Sequence, residues 1–271
     1  MKSGNDREAM KGLLASLVCH VCWGLSFLAS RTGLNEAPVF VLLSHRFLLS
    51  FLVMQCFPRQ VAGLRRVGRD LPLLLALGLA QPVVYFLGEQ YGILHSTTGF
   101  SGVMIAMIPV VSVLAAAPLL RERPTLGQLC FSLLSVGGVI GIGLMTRSSG
   151  RTSPFARTYA MTGMGAAVFT LLALIQCRGD LAAYCAPLAG TPYLLSVLFL
   201  ALGCSVLSFF LSNYALTKLP LARETVFANL TTAVSVFAGV LVLHEPFSWL
   251  TFVCIALILI GIWGVQRTAR D

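Results

Sequence analysis

Charged residues are scarce in this chain of 271 residues. Only 11% of the residues are charged, 57% are hydrophobic, and the mean hydropathy is +0.86. Soluble domains carry about 25% charged and about 45–50% apolar residues. A soluble globule of this composition would lack polar surface, and a disordered chain would hold far fewer apolar residues. The composition therefore predicts a membrane protein whose main partner is the lipid bilayer, and it excludes a soluble enzyme.

The sequence also lacks the motifs of ATP-driven and metal-dependent proteins. It has no glycine-rich phosphate loop that ends in Lys followed by Ser or Thr, so direct coupling to ATP is not expected. The His, Asp and Glu residues are too scattered for a catalytic or metal-binding cluster. We therefore expect no enzyme activity, no cofactor and no metal ion.

Neither the eight cysteines nor the net charge of +9 indicates a separate function. Most of the cysteines lie within apolar runs, where a free Cys behaves as a small hydrophobe. Only Cys177 and Cys185, near one loop, leave a disulfide open. The basic residues lie in short gaps between apolar runs, where Lys and Arg set membrane orientation, so nucleic acid is not an expected partner.

Nine apolar runs are long enough to cross a bilayer, whose hydrocarbon core of about 30 Å needs roughly 20 helical residues. The runs are continuously apolar rather than alternating, which excludes barrel strands. The sequence therefore predicts an all-α, polytopic membrane helix bundle. The predicted spans are 12–30, 38–57, 71–92, 98–120, 125–145, 159–177, 192–216, 222–243 and 248–266.

Two parts of the chain resemble each other at a spacing of 123 residues. An ungapped comparison of residues 71–142 with 194–265 gives 17 identities in 72 positions. The basic residues on both sides of one shared glutamate are lost in the second copy, as expected if the two repeats have inverted topology. The shared residues that are rarest in apolar sequence are Glu122 with Glu245 and Gly138 with Gly261.

The second repeat is shorter than the first by about one membrane crossing. In the first half, 70 residues precede Leu71, whereas in the second half only the 49 residues 145–193 precede its counterpart Leu194. The difference predicts nine spans here against ten in a complete fold, with the second repeat lacking its first helix. The corresponding units are a five-helix repeat over 1–146, a polar linker over 147–158 and an incomplete four-helix repeat over 159–271.

The basic residues favour one orientation. In the first half, the segments on the side of the N-terminus carry nine Lys and Arg residues, whereas the opposite loops carry only Arg31. Cytoplasmic loops are the ones enriched in Lys and Arg. The pattern predicts a multi-pass protein of the plasma membrane with a cytoplasmic N-terminus. The second half favours a cytoplasmic C-terminus as well, which requires an even number of crossings.

Several motifs resemble the EamA type of the drug/metabolite transporter superfamily. The first predicted helix contains Trp23-Gly24-Leu25-Ser26-Phe27, and the second contains Arg46-Phe47. The stretch 119–125 (LLRERPT) is similar to the family's end-of-repeat pattern, and 243–246 (LHEP) repeats it. The resemblance covers nearly the whole chain.

This resemblance implies two inverted five-helix repeats and a transporter that moves small metabolites, often outward. We therefore expect a secondary transporter, an exporter of small amphipathic metabolites such as amino acids, that works by alternating access. Coupling to protons or sodium and a homodimer both remain open. Because the second repeat is shorter than the first, an alternative to the transporter remains, namely a non-transporting membrane scaffold or a lipid flippase.

A polar helix face identifies the first candidate site residues. Gln81, Tyr85 and Glu89 are spaced by four and so share one face of a helix. Inverted-repeat transporters bind substrate at the repeat interface near the bilayer midplane, where polar groups are costly and usually functional. We expect this face to line a cavity, with interhelical hydrogen bonding as the alternative. The shift of 123 residues maps it onto Cys204, Ser208 and Ser212.

The other candidates lie on three further predicted helices. Arg46 could clamp a substrate carboxylate with paired donors or pair with Glu89 and lock helices together. Trp23 could wall the cavity, and Asn229 and Thr232 could bond a substrate or a neighbouring helix. We predict substrate contacts for Trp23, Arg46, Gln81, Tyr85, Glu89, Ser208, Asn229 and Thr232. Structural roles at helix ends and helix contacts are predicted for Glu122, Glu245, Gly138 and Gly261.

Overall fold

The computed structural model describes residues 2–63, 71–95, 153–219 and 221–244, and every regular element within these ranges is helical. Helix α4 comprises Leu71–Gly78, a π-helical turn Leu79–Tyr85, and Phe86–His95. Helix α7 comprises Thr191–Leu198, a π-helical turn Phe199–Ser208, and Phe209–Lys218. A single 3₁₀ turn, Ala186–Ala189, precedes α7. The other helices are α1 (Lys2–Glu36), α2 (Val39–Gln55), α3 (Pro58–Gly63), α5 (Pro154–Gln176), α6 (Leu181–Cys185) and α8 (Leu221–Leu243).

Several of these helices have the length and apolar composition of membrane-spanning helices. Within the described part of the chain, three are long and apolar enough to cross it, Arg7–Glu36, Pro154–Gln176 and Thr191–Lys218. Two shorter apolar helices are Val39–Gln55 and Leu230–Leu243. Large apolar side chains such as Leu171, Ile175 and Leu241 are exposed, as expected of a surface that faces lipid. The prediction of an all-α membrane helix bundle is confirmed.

Six of the nine predicted spans coincide with described helices, namely α1, α2, α4, α5, α7 and α8. The predicted spans 98–120, 125–145 and 248–266 lie outside the described residues, so the count of nine stays a prediction. Helix α5 starts at Pro154, five residues before the predicted 159, because Ser153 caps it. The hydroxyl of Ser153 accepts a hydrogen bond from the backbone N–H of Ala156 at 3.1 Å.

Helices α2 and α5 form the centre of the bundle and run antiparallel. Near the start of α2, Ser44 Oγ lies 3.0 Å from Thr170 Oγ1. At its end, Gln55 Nε2 donates to Tyr159 Oη at 3.0 Å. The two helices approach closely because Gly165 leaves room for the Phe47 ring. Four phenylalanines pack together here, Phe47, Phe86, Phe169 and Phe209.

Helices α4 and α7 are the counterparts that the 123-residue shift relates, and they run in opposite directions. Phe40 and Phe47 of α2 contact Tyr91 and Phe86 respectively, so α4 is antiparallel to α2. His45 and Ser50 of α2 bond to Tyr193 and Ala201 respectively, so α7 is parallel to α2. Equivalent helices of opposite direction are the geometry of inverted-topology repeats.

Helix α1 packs along α7 and α8 and defines the two ends of the bundle. Glu8 forms ion pairs of 2.6 Å with Lys11 and with Lys218 at the end of α7. We call this the basic end, and we call the opposite end, where α1 turns into α2 at Ala37, the turn end. Arg31 lies near the turn end and donates to the carbonyl of Ile93 at 2.8 Å, so it caps the last turn of α4.

Candidate functional site

Arg46 lies near the middle of α2 and is 1% exposed. We call the π-helical turns of α4 and α7 their wide turns. The Nε of Arg46 donates to Ser205 Oγ in the wide turn of α7 at 2.8 Å. Its guanidinium carbon lies 4.3 Å from the centre of the Phe86 ring on α4, a cation–π contact. The terminal nitrogens Nη1 and Nη2 are buried and find no hydrogen-bond acceptor in the described part of the chain. A charged group with two unused donors therefore lies between the two repeats.

The wide turn of α7 is bonded to α1 and α2 by side chains. Trp23 Nε1 donates to the carbonyl of Cys204 at 3.3 Å, and Ser50 Oγ donates to the carbonyl of Ala201 at 3.2 Å. A π-helical turn shifts the backbone pairing to i→i+5 and is frequent at functional sites. Since Trp23 and Arg46 reach the adjacent residues Cys204 and Ser205, the structure brings these two predicted site residues to one place.

Tyr85 and Glu89 on α4 contact each other, as their spacing predicts. Tyr85 Oη donates to Glu89 Oε1 at 3.5 Å, and Gln90 Nε2 donates to Glu89 Oε2 at 3.4 Å. Gln90 Nε2 also lies 3.3 Å from Ser30 Oγ on α1. These bonds are long and weak for a carboxylate, which accepts best at about 2.7–2.9 Å. Glu89 therefore keeps capacity to accept stronger hydrogen bonds.

Arg46 and Glu89 lie in the same region of the site without forming an ion pair. Among the described residues, no contact within 4.0 Å joins these two side chains. Phe86, whose ring lies against the Arg46 guanidinium, and Glu89 are three residues apart and so share a face of α4. The site thus offers a guanidinium on α2 and a carboxyl group about one helical turn along α4.

The remaining predicted site residues lie elsewhere or outside the described side chains. Ser208 is fully buried, and its Oγ donates to the carbonyl of Gly203 in its own helix at 2.7 Å. Thr232 is fully buried on α8, which packs on α1. Gln81 lies in the wide turn of α4 and is partly buried. The side chain of Asn229 and the residues Glu122, Glu245, Gly138 and Gly261 lie outside what the structure describes.

Three residues of the site were not predicted from the sequence, namely Ser205, Phe86 and Gln90. The 123-residue shift could have indicated two of them, because it pairs Phe86 with Phe209 and Gln90 with Asn213. Phe86 and Phe209 lie 6.1 Å apart between ring centres, across the repeat interface. Ser205 corresponds to Pro82, so internal symmetry gives no signal for a hydroxyl at that position.

A second polar cluster lies closer to the turn end. Ser44 Oγ is 2.7 Å from Tyr184 Oη, and His45 Nδ1 is 2.8 Å from Tyr193 Oη. Burial raises the pKa of Tyr184, so its hydroxyl stays protonated at neutral pH. The cluster ties α6 and α7 to α2. Cys177, which precedes α6, and Cys185, which ends it, are free thiols, so the disulfide that the sequence left open is not formed.

Metal binding finds no support in the described ranges, which contain no group of three or more His, Cys, Asp and Glu side chains placed to hold an ion. What the described site offers is a set of hydrogen-bonding groups around aromatic rings. Donors converge on one side and acceptors on the other, with aromatic rings between them.

Comparison with known proteins finds relatives that align with nearly the whole chain. The uncharacterized transporter YcxC of Bacillus subtilis (strain 168) is 28% identical over 286 residues, with 93% of this chain and 91% of the relative covered. An uncharacterized transporter of Archaeoglobus fulgidus is 26% identical, with 90% and 95% covered. A protein named as a probable terminal-alkyne amino-acid exporter of Streptantibioticus cattleyicolor is also 26% identical, with 95% and 94% covered.

A solved structure and a family profile agree with these relatives. One crystal structure superimposes with a TM-score of 0.64 at 17% identity, covering 96% of this chain and 97% of the other. The profile of the EamA-like transporter family matches twice, at residues 10–144 and 143–267. The two matches cover most of the chain and correspond to two repeats. The protein therefore belongs to the EamA-like transporter family and is a multi-pass membrane transporter.

Proposed function

We propose that the protein is a secondary transporter, not an enzyme, that exports small amphipathic metabolites such as amino acids across the plasma membrane by alternating access. The observation that carries this proposal is Arg46, whose two terminal nitrogens are buried between the repeats and meet no acceptor among the residues that the structure describes. A buried charge that lacks its partner costs several kcal/mol, on the order of 3–5. A substrate carboxylate would supply the partner, because its two oxygens match the guanidinium fork.

Glu89 gives the proposed substrate a second pole. Its carboxylate accepts only long hydrogen bonds, at 3.4 and 3.5 Å, and lies on the same face of α4 as Phe86. A substrate with a carboxylate and an ammonium group would neutralise Arg46 and Glu89 together. The name of the Streptantibioticus relative, a probable terminal-alkyne amino-acid exporter, supports the same substrate class.

Alternating access follows from the inverted repeats. Two bundles of opposite direction can rock about a shared site and expose it to either side in turn. The predicted orientation puts the basic end in the cytoplasm and the turn end outside. Without a phosphate loop in the sequence, the driving force would be a proton or sodium gradient, or the substrate gradient alone.

The test is efflux of radiolabelled leucine from proteoliposomes that hold the purified protein. We expect Arg46→Gln to reduce efflux at least about tenfold, because hydrogen bonds to charged groups contribute about 1.5–3 kcal/mol. Arg59→Gln is the matched control, since Arg59 is exposed on α3 and far from the site. Imposed proton and sodium gradients in the same vesicles identify the coupling ion.

The shortened second repeat that the sequence predicts favours a second candidate, a non-transporting membrane scaffold or a lipid flippase. The alignment with YcxC runs over 286 positions, more than the 271 residues of this chain, so the relative carries residues without a counterpart here. Correctly inserted protein that moves neither leucine nor any member of an amino-acid panel would contradict the exporter. Movement of labelled lipid in the same vesicles would then separate flippase from scaffold.

A further inference from the structure

Gln90 holds a buried acceptor that the described structure leaves unused. The residue is 1% exposed, and its Oε1 has no hydrogen-bond donor, whereas its Nε2 faces Glu89 and Ser30. An unsatisfied buried carbonyl is energetically costly, and such groups are rare in folded proteins. Its presence beside the proposed site therefore indicates a ligand with a donor.

The orientation of this amide is fixed by its neighbour. Oxygen and nitrogen of a Gln side chain are assigned from the hydrogen-bond network. Rotating the amide by half a turn would place Oε1 against Glu89 Oε2, so that two acceptors would meet when Glu89 is ionised, as the proposed function requires. The nitrogen therefore faces the carboxylate, and the oxygen of the same amide is left as an unused acceptor beside it.

The equivalent residue of the other repeat has no such vacancy. Asn213 corresponds to Gln90 and is also buried, at 6% exposure. Its Nδ2 donates to Thr158 Oγ1 at 3.3 Å and to the carbonyl of Phe209 at 2.8 Å. Of this pair, only the first-repeat residue carries a buried polar atom without a partner, and it stands next to the carboxylate of Glu89.

We propose that Gln90 Oε1 and the Glu89 carboxylate together bind an ammonium group that bears at least two N–H donors, so the transporter selects primary amines over quaternary ones. This inference rests on the proposed function, and it specifies the chemical group of the substrate that Glu89 recognises. A primary ammonium has three donors, which Glu89 and Gln90 can share. A trimethylammonium group has the same charge and no donor, so it would leave Gln90 unsatisfied and would crowd the site.

The experiment compares leucine with its N,N,N-trimethyl derivative, which differs only at the amine. Binding is measured as the shift of the thermal unfolding temperature of the detergent-solubilised protein, and transport as efflux from proteoliposomes. We expect the apparent affinity for leucine to exceed that for the trimethyl derivative at least about tenfold, because only leucine can fill the empty acceptor.

Two variants isolate the role of Gln90. Gln90→Leu keeps the volume, removes the acceptor and is expected to bring the leucine-to-trimethyl ratio close to one. Gln55→Leu makes the same chemical change at an exposed amide at the end of α2 and is expected to leave the ratio unchanged.

The outcomes separate this inference from the proposed function. Equal affinity of the wild-type protein for both ligands, with leucine efflux intact, would overturn the amine selectivity and leave the exporter standing. Preferential binding of leucine without efflux would support the selectivity and contradict the exporter. Binding of neither ligand would contradict both.

Discussion

The guanidinium of Arg46 is held by one hydrogen bond and two aromatic rings. Ser205 accepts from its Nε, and the rings of Phe86 and Phe47 lie 4.3 and 5.4 Å from its central carbon, while Nη1 and Nη2 have no hydrogen-bond partner among the described residues. A side chain of this length loses up to about 2 kcal/mol of rotamer entropy when it is fixed. Since the protein itself fixes the side chain, a ligand would not have to order it, and Ser205 acts as a positioning residue.

We expect Ser205→Ala to raise the KM for leucine about tenfold and to change the maximal efflux rate less, because a hydrogen bond to a charged group contributes about 1.5–3 kcal/mol. Ser196→Ala is the control. Ser196 is also buried on α7, but its hydroxyl donates to the carbonyl of Pro192 in its own helix. An unchanged KM in Ser205→Ala would contradict the positioning role.

Sequence reasoning located part of this site because polar residues in apolar runs are conspicuous. Arg46, Tyr85 and Glu89 were visible in that way. In the structure, Arg46 and Tyr85 both contact the Phe86 ring, and Tyr85 bonds to Glu89. Ser205 was not visible, since serine is common in membrane helices as an interhelical bonding group. Its role depends on which face of α7 meets α2, which composition does not encode.

The π-helical turns are features of helices that periodicity does not reveal. A spacing of four residues predicted that Gln81, Tyr85 and Glu89 share a face. The wide turn Leu79–Tyr85 breaks that register between Gln81 and Tyr85, whereas the regular helix beyond it preserves the contact of Tyr85 with Glu89. Pro82 lies inside the turn and lacks the backbone N–H of a regular helix. The shift of 123 residues superimposes this turn on 202–208, within the wide turn of α7.

Gly24 shows why one family motif needs a glycine. A Cβ at this position would lie 2.5 Å from Val234 Cβ and 2.9 Å from the carbonyl oxygen of Thr231. Helices α1 and α8 therefore approach each other at a distance that only glycine permits. The residue was visible in the sequence, but the helix that it contacts was not.

We expect Gly24→Ala to destabilise the protein by about 1–3 kcal/mol, the usual cost of overpacking, because a backbone oxygen has to move. The measurement is thermal unfolding in detergent. Gly92→Ala is the matched control, since a Cβ there meets nothing within 4 Å and alanine favours a helix. A melting temperature of Gly24→Ala equal to that of the wild type would contradict the close contact.

At the scale of the whole molecule, two exposed cysteines lie at opposite ends of the described bundle. Cys56 follows α2 at the basic end, and Cys185 ends α6 near the turn end. Phe57 contacts Phe155 beside Cys56, whereas Tyr184, beside Cys185, bonds to Ser44. The two thiols therefore report on the two faces of the membrane.

We expect a membrane-impermeant maleimide to label Cys185 from outside intact cells and Cys56 only in inside-out vesicles. This result follows from the antiparallel helices together with the proposed cytoplasmic N-terminus. The variants Cys56→Ser and Cys185→Ser identify which thiol reacts. Labelling of both from one side would contradict the described bundle, and labelling with the sides exchanged would reverse the proposed orientation alone.

The antiparallel pairing of α2 with α4 and with α5 also has a consequence for the number of membrane crossings between α4 and α5. Helix α4 ends at the turn end, where Tyr91 meets Phe40, and α5 begins at the basic end, where Phe155 meets Phe57. A polypeptide that leaves one face of a membrane and resumes on the other has traversed it an odd number of times. The two spans predicted between these points, 98–120 and 125–145, make an even number. A complete ten-helix fold has three, so the shortened repeat that the sequence predicts and the placement of α5 demand different counts, and a topology reporter inserted at residue 150 would decide between them.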